Sequence, residues 1–260
     1  MKSRQFMYTL VFAMLLLATS GLHSSEALAA SDGGSVDFLD DSFYADEVDE
    51  ADVGDPLEPF NRAMFEFNDA AYTWVFNPVA TGYSHVVPGD IRGAVDNFFN
   101  NLQEPLRFVN TLLQGRFDDS GTVLARFFIN TIGGVGGLGD PAGRGLGFTP
   151  VDATLGETLG TWGIGDGFYL VIPFFGPTTL RDFSGDVVEG IAMTSYYYWA
   201  DDWEIPAAIF LFKQENSLSL HLGEYEDMKK LSFDPYVALR NGYFQHREQK
   251  RNHSDAAYDD

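Results

Sequence analysis

The chain has 260 residues, a formal net charge of −22, 45% hydrophobic residues and no cysteine. Without cysteine it has no disulfide framework, thiolate metal site or thiol nucleophile, and its acidity opposes binding to nucleic acid or to anionic head groups. Twenty-three Phe, twelve Tyr and four Trp are a heavy aromatic load for so acidic a chain; they fit either a Phe-rich core or a body with two apolar surfaces, one inward and one toward lipid.

Residues 1–30 read as a secretory signal peptide: Lys2 and Arg4, then the apolar stretch Phe6 to Leu17, then the small-residue site Ala27-Leu28-Ala29. The apolar run is shorter than the roughly 20 residues that a membrane span requires, so cleavage is expected near Ala29 or Ala30. Removing two basic residues and Glu26 leaves 14 basic against 37 acidic residues, a charge of −23. Residues 31–54 form an acidic leader expected to be disordered, since residues 31–55 carry ten acidic residues and no basic one. One domain is expected over 55–250, followed by a polar tail at 251–260.

Within that domain Phe60, Met64, Phe67, Ala71 and Trp74 mark an amphipathic helix that Asn77-Pro78 should end. A second helix is predicted from Pro88 to Asn101, with Ile91, Val95, Phe98 and Leu102 on one side. A third runs from Glu104 to Leu113, stopped by Gly115. A fourth covers Asp118 to Thr131, capped by Asp119 or Ser120, with Leu124, Phe127, Phe128 and Ile132 as its apolar stripe. Gly133 to Gly147 is too rich in glycine for a helix or an ordinary strand. A short helix is expected around Leu155–Gly160, then an ordered irregular loop from Gly163 to Pro177. Helices resume at Leu180–Trp199, Ile205–Gln214 and Pro235–Lys250. No segment after the leader has 18 consecutive apolar residues or the ten-residue alternation of a membrane barrel. The expected class is therefore all-α, built of amphipathic helices able to lie in a membrane plane; a soluble helical domain would show the same stripes.

Catalytic motifs are mostly absent. Gly134-Val135-Gly136-Gly137-Leu138-Gly139 matches G-x-G-x-x-G, and Phe127–Ile132 could pass for the strand before it. A dinucleotide site also needs a helix opening after the glycines, and Asp140-Pro141-Ala142-Gly143 predicts none. No P-loop lysine, G-x-S-x-G or H-E-x-x-H occurs, and His85, His221, His246 and His253 lie at no ligand spacing. No enzyme and no cofactor or metal is expected. Asn61, Asn68, Asn97, Asn110, Arg107, Arg126, Asn130 and Arg181 sit inside apolar stretches. Such groups are costly to bury unless paired, so they either fix helix junctions or line a polar passage.

Several blocks occur in order over roughly residues 55–245. They are Asp55-Pro56-Leu57-Glu58-Pro59-Phe60-Asn61-Arg62 with Phe65-Glu66-Phe67-Asn68; Asn97-Phe98-Phe99-Asn100-Asn101-Leu102-Gln103-Glu104-Pro105 with Asn110 and Leu113-Gln114-Gly115; Arg126 to Gly133 and Gly136-Gly137-Leu138-Gly139-Asp140; and Glu157 to Gly163, with Leu170 to Pro177 and Leu180-Arg181-Asp182. Together they resemble the VacJ/MlaA family, with Ser232 to Tyr236 as a weaker match. The resemblance implies a ring of amphipathic helices in the inner leaflet of the outer membrane, around an amphipathic pore. It further implies binding to a trimeric porin, with phospholipid leaving the outer leaflet for a periplasmic carrier. In that light Arg62, Asn101, Glu104, Asp140 and Asp182 join the polar residues above as candidate pore-lining or helix-junction groups. Gly133, Gly136 and Gly139, with Gly163, Gly165, Pro173, Gly176 and Pro177, become candidates for a rim or gate. Many members of that family are anchored through an acylated cysteine, which this sequence lacks; anchoring is expected instead from helix faces and the porin. A helical scaffold that binds a porin and moves no lipid is the alternative.

Overall fold

The computed structural model describes residues 55–197 and 204–256. The expected signal peptide, the expected acidic leader, the predicted helix end at Trp199 and the last residues of the tail lie outside the described residues. The described chain is mostly helical, as predicted, with one short antiparallel hairpin that was not.

Helix α1 spans Glu58–Ala71, with Pro59 in its first turn, where a missing amide hydrogen costs nothing. It does not stop at Asn77-Pro78. A single π-turn, Tyr72–Phe76, carries it directly into α2, Asn77–Val86, whose first turn accommodates the proline. The next correction is larger. The two helices expected over 88–101 and 104–113 are one, α3, Gly89–Leu113, with Pro105 inside it. The polar run before Pro105 looked like a break because it is hydrophilic, but Asn101 and Glu104 are buried there. Helix α4 follows over Phe117–Gly133. Neither Asp119 nor Ser120 caps it. Asp119 pairs with Arg116 at 2.6 Å, and Ser120 Oγ donates to the carbonyl of Arg116 at 2.7 Å and bonds Thr111 Oγ1 at 2.9 Å, tying down the α3–α4 turn.

Within Gly133–Gly147, where no helix was expected, a short one does form: α5, Pro141–Leu146, because Asp140 caps it, Pro141 opens it and Gly147 ends it in the left-handed conformation. Helix α6, Leu155–Thr161, opens with a full Thr154/Glu157 capping box. The expected loop over 163–177 contains β1, Tyr169–Ile172, which pairs antiparallel with β2, Gly176–Thr179. Four-residue strands among Gly, Pro and aromatic residues leave too little alternation to read. Helix α7, Leu180–Tyr197, and α8, Glu204–Leu220, precede α9, Glu224–Leu231, which no apolar stripe announced. Helix α10 covers Pro235–Ala256.

Apolar packing is concentrated under the hairpin. Tyr169, Val171 and Tyr236 are buried together, with Met64 and Phe65 of α1 and Tyr243 and Phe244 of α10 against them. Removing each such side chain from water contributes about 2–3 kcal/mol. A second cluster joins Phe175 to Phe210 of α8 and Phe183 and Val187 of α7. Helices α6 and α7 meet backbone to backbone: a Cβ on Gly185 would stand 2.5 Å from the nitrogen of Gly156. Small residues at that contact are a steric requirement.

Candidate functional site

The sorting of side chains on α3 and α4 is the reverse of a water-soluble helix pair. The two helices pack on each other through a short turn, and what they bury is mainly polar: Asn101, Glu104, Arg107, Asn110 and Thr111 on α3, and Ser120, Arg126 and Asn130 on α4. Their outer faces carry Val109, Leu112, Leu113, Phe117, Leu124, Phe128 and Ile132, all exposed, with Ile132 at 80%. Of the stripes expected from sequence, Leu124, Phe128 and Ile132 of α4 and Ile91 of α3 point outward, whereas Val95, Phe98, Leu102 and Phe127 are half-buried.

Inside, charge meets charge. Glu104, 2% exposed, lies between two guanidinium groups, 3.5 Å from Arg107 and 3.7 Å from Arg126. Burial pushes its carboxyl above the usual range, opposed by Arg107 and Arg126. Arg107 reaches Asp152 at 3.7 Å, and Arg126 reaches Asp140 at 3.3 Å and donates to the carbonyl of Phe148. Asn130 donates to Asp140 at 2.8 Å and accepts from the amide of Ala142 at 3.0 Å, so α4 holds the start of α5. Asn101 donates to Thr131 Oγ1 at 2.9 Å and lies under Gly137, where an added Cβ would approach it to 2.6 Å. Five of the predicted residues, Glu104, Arg107, Arg126, Asn130 and Asp140, therefore form one network, and Asn101 is buried on the same helix pair without a bond to it.

Asn110 is one turn further along α3. It donates to Glu189 at 2.6 Å and to the carbonyl of Ala153 at 3.2 Å, and accepts from Thr158. Glu189, which also receives the amide of Leu155 at 2.6 Å, was not anticipated. It is a single acid in the apolar run Val187 to Ile191, the same signal that picked out the other polar residues. Its carboxyl is pushed up by burial.

A second group surrounds the hairpin. Asn61, fully buried, donates to the carbonyl of Tyr169 at 3.1 Å and to Asp55 at 2.8 Å, and accepts from the amide of Val171 at 2.9 Å. Seven residues later on the same face of α1, Asn68 donates to the carbonyl of Ile172 at 2.9 Å and accepts from the amide of Phe174. Asn61 thus completes the free edge of β1, and Asn68 holds the hairpin turn that follows it. Pro173 leads the hairpin turn and Phe174 follows at φ +66, with Gly176 also at positive φ and Pro177 facing Val171 across the strands. Phe67 and Phe76 pack edge-on against Phe174, with ring centroids 5.0 and 6.2 Å away.

The remaining candidates are junctions or rim. Arg62 pairs with Glu58 and Asp234 and stacks on Tyr236, joining α1 to α10. Asn97, on the outside of α3, reaches the carbonyl of Leu138 at 3.3 Å. Arg181 pairs with Asp166 at 2.7 Å and with Asp182 at 3.2 Å; Arg247 and Tyr243 of α10 close on the same two carboxylates. Burial raises the Asp182 carboxyl, opposed by the bond from Tyr243 and by Arg181. Gly163 has φ +85 in the segment after α6, ahead of Gly165, and neither meets neighbours that restrict it. Gly133 and Gly139, with Gly134, Val135, Leu138, Asp140, Pro141 and Arg144, line an open groove of about 550 Å³ beside α5, and Gly136 turns the chain at its edge with φ +74.

The arrangement pairs and orients charge. Among the described residues no three metal-ligating side chains come together, and no helix is long and apolar enough to cross a membrane. The ground for rejecting a nucleotide loop at the G-x-G-x-x-G segment is corrected: a helix does open after it, but the segment before it is α4 and not a strand.

The model of the MlaA lipoprotein family matches residues 53–250. Among curated proteins, the chain is 35% identical over 208 residues to an intermembrane phospholipid transport system lipoprotein MlaA of Escherichia coli, covering 77% of this chain and 80% of that one. A Haemophilus influenzae protein of the same name is 32% identical, covering 76% and 79%, and an uncharacterized protein of Rickettsia felis is 34% identical, covering 76% and 78%. A solved structure described as the structural basis for maintenance of bacterial outer membrane lipid asymmetry superposes with a TM-score of 0.66 at 34% identity, covering 75% of this chain and 98% of that one. With these matches spanning the helical hairpin, the buried network and the β-hairpin alike, the chain belongs to the MlaA family.

Proposed function

We propose that the chain maintains outer-membrane lipid asymmetry as a passive, non-enzymatic conduit: a ring of helices in the inner leaflet that lets phospholipid leave the outer leaflet for a periplasmic carrier. The single observation that carries this is the inverted α3–α4 pair. Exposed apolar stripes on both helices need an apolar solvent, and buried, paired charges are what a lipid-immersed protein places in its interior. Helices of this kind lie in the membrane without spanning it. Movement down a leaflet imbalance needs only a route that accepts head groups and tails, so no covalent step is invoked. A trimeric porin is the proposed neighbour in the membrane. Attachment through the helix faces and that porin takes the place of an acylated cysteine. Nucleic acid has no place in the mechanism.

Extraction tests the reading. The full-length protein should require detergent for release from outer-membrane fractions and should carry phospholipid through purification. Recovery in the soluble periplasmic fraction, free of lipid, would instead favour a porin-binding scaffold.

A further inference from the structure

The groove beside α5 combines three features that the buried network does not use. Its walls are apolar, with Val135, Leu138 and Pro141 among the lining, and Arg144 is the one cation among the lining residues. Arg144 is exposed, and no described residue pairs with it. The neighbouring Asp140 makes no ion pair with it: Oδ1 of that carboxylate is turned to Asn130, the amide of Gly143 and Arg126. In a chain of net charge −22, an uncompensated guanidinium at an apolar groove selects an anion that also carries hydrocarbon. The third feature is Val135: a β-branched residue at φ +57, 76% exposed in the groove wall. That conformation costs on the order of 1–3 kcal/mol and persists at sites where the surroundings impose it. Here it sets an isopropyl group out into the groove instead of burying it.

We propose that this groove seats one glycerophospholipid, its phosphodiester held by the Arg144 guanidinium and the first acyl carbons lying against Val135, Leu138 and Pro141. The assignment rests on the phospholipid-transport reading and adds a recognition residue to it. Guanidinium matches a phosphate with two parallel N–H donors, and at the edge of an apolar environment that pairing is stronger than in water. The phosphodiester is common to zwitterionic and anionic phospholipids, so the site reads the phosphate and not the head-group amine or glycerol.

The test is binding of dihexanoyl phosphatidylethanolamine and dihexanoyl phosphatidylglycerol, below their micelle concentrations, to the full chain in amphipol. Inorganic phosphate and dihexanoylglycerol serve as the two half-ligands. Both phospholipids should bind; Arg144→Gln should weaken both by about tenfold, Arg144→Lys should retain most of the affinity, and Leu138→Gln should weaken both several-fold. Arg144 is exposed, so its variants should keep the wild-type circular dichroism. If Arg144→Gln binds phospholipid as tightly as the wild type, the site is wrong while the transport reading stands. Phosphate alone binding as tightly as the lipids would make it an ion site and overturn the lipid assignment; dihexanoylglycerol doing so would remove the role of Arg144. A wild-type protein that binds neither phospholipid would overturn both readings.

Discussion

Adjacent residues on α1 offer a direct measure of the inverted sorting. Phe60 is 48% exposed, while Asn61 is fully buried and makes three hydrogen bonds, to Asp55, to the carbonyl of Tyr169 and from the amide of Val171. In a water-soluble helix the Phe→Ala change is the expensive one. Here Asn61→Ala strands a buried amide and a buried carbonyl on the edge of β1, with a net loss of about 3–4 kcal/mol. For a domain of this size that lowers Tm by about 10 °C. If the exposed face of α1 meets lipid as proposed, Phe60→Ala should cost under about 1 kcal/mol in detergent, because hydrocarbon around the ring is as apolar as the ring. Thermal unfolding of both variants in the same non-ionic detergent, followed by circular dichroism, makes the comparison. A Phe60→Ala loss equal to or greater than the Asn61→Ala loss would refute the reasoning, since it would place Phe60 in a conventional core.

Further outcomes follow from the same geometry. Glu104→Ala should cost about 3–5 kcal/mol in denaturant unfolding, because it leaves Arg107 and Arg126 buried without their shared counter-ion. Gly137→Ala should destabilise far more than Gly136→Ala: both have positive φ, but only the first drives a Cβ into Asn101, at 2.6 Å. Val135→Gly should stabilise the fold by about 1 kcal/mol by releasing left-handed strain, while weakening phospholipid binding in the groove. Burial raises the Glu215 carboxyl to about 7. A raised folded-state value means the folded chain holds the proton more tightly than the unfolded one between the ordinary carboxylate range and about pH 7. Stability should therefore fall as pH rises through that window, and Glu215→Gln should flatten that part of the unfolding-versus-pH profile.

What the sequence discloses about this fold depends on which force places each element. The apolar repeats located α1, α3 and α4, because 3.6-residue periodicity survives whichever solvent the stripe faces. They do not say which solvent that is, and so the polar residues on the opposite faces could be named but not assigned to an interior. The join between the two expected helices at Asn101 to Glu104 was illegible for the same reason: the residues there are polar yet buried, and their partners Arg107, Arg126 and Thr131 appear only in the fold. The β-hairpin escaped because its outer edge and its turn are held by Asn61 and Asn68, more than a hundred residues away in sequence. Helix α9 escaped because polar contacts help dock it: Glu226 takes Tyr72 and Asn77, and Lys229 takes Asp69. Val135 and Arg144 carry no sequence signal, since a left-handed valine and an unpaired arginine are visible only once the backbone is closed around them.

The central claim is that this chain removes phospholipid from the outer leaflet, and the most direct measurement is outer-leaflet phospholipid in cells with and without the gene, read by a surface-acting phospholipase or an acyl-transfer reporter. Deletion should raise the exposed phospholipid, and the cysteine-free protein should restore it. Unchanged exposure on deletion, with the wild-type protein confirmed in the outer membrane, would contradict the account.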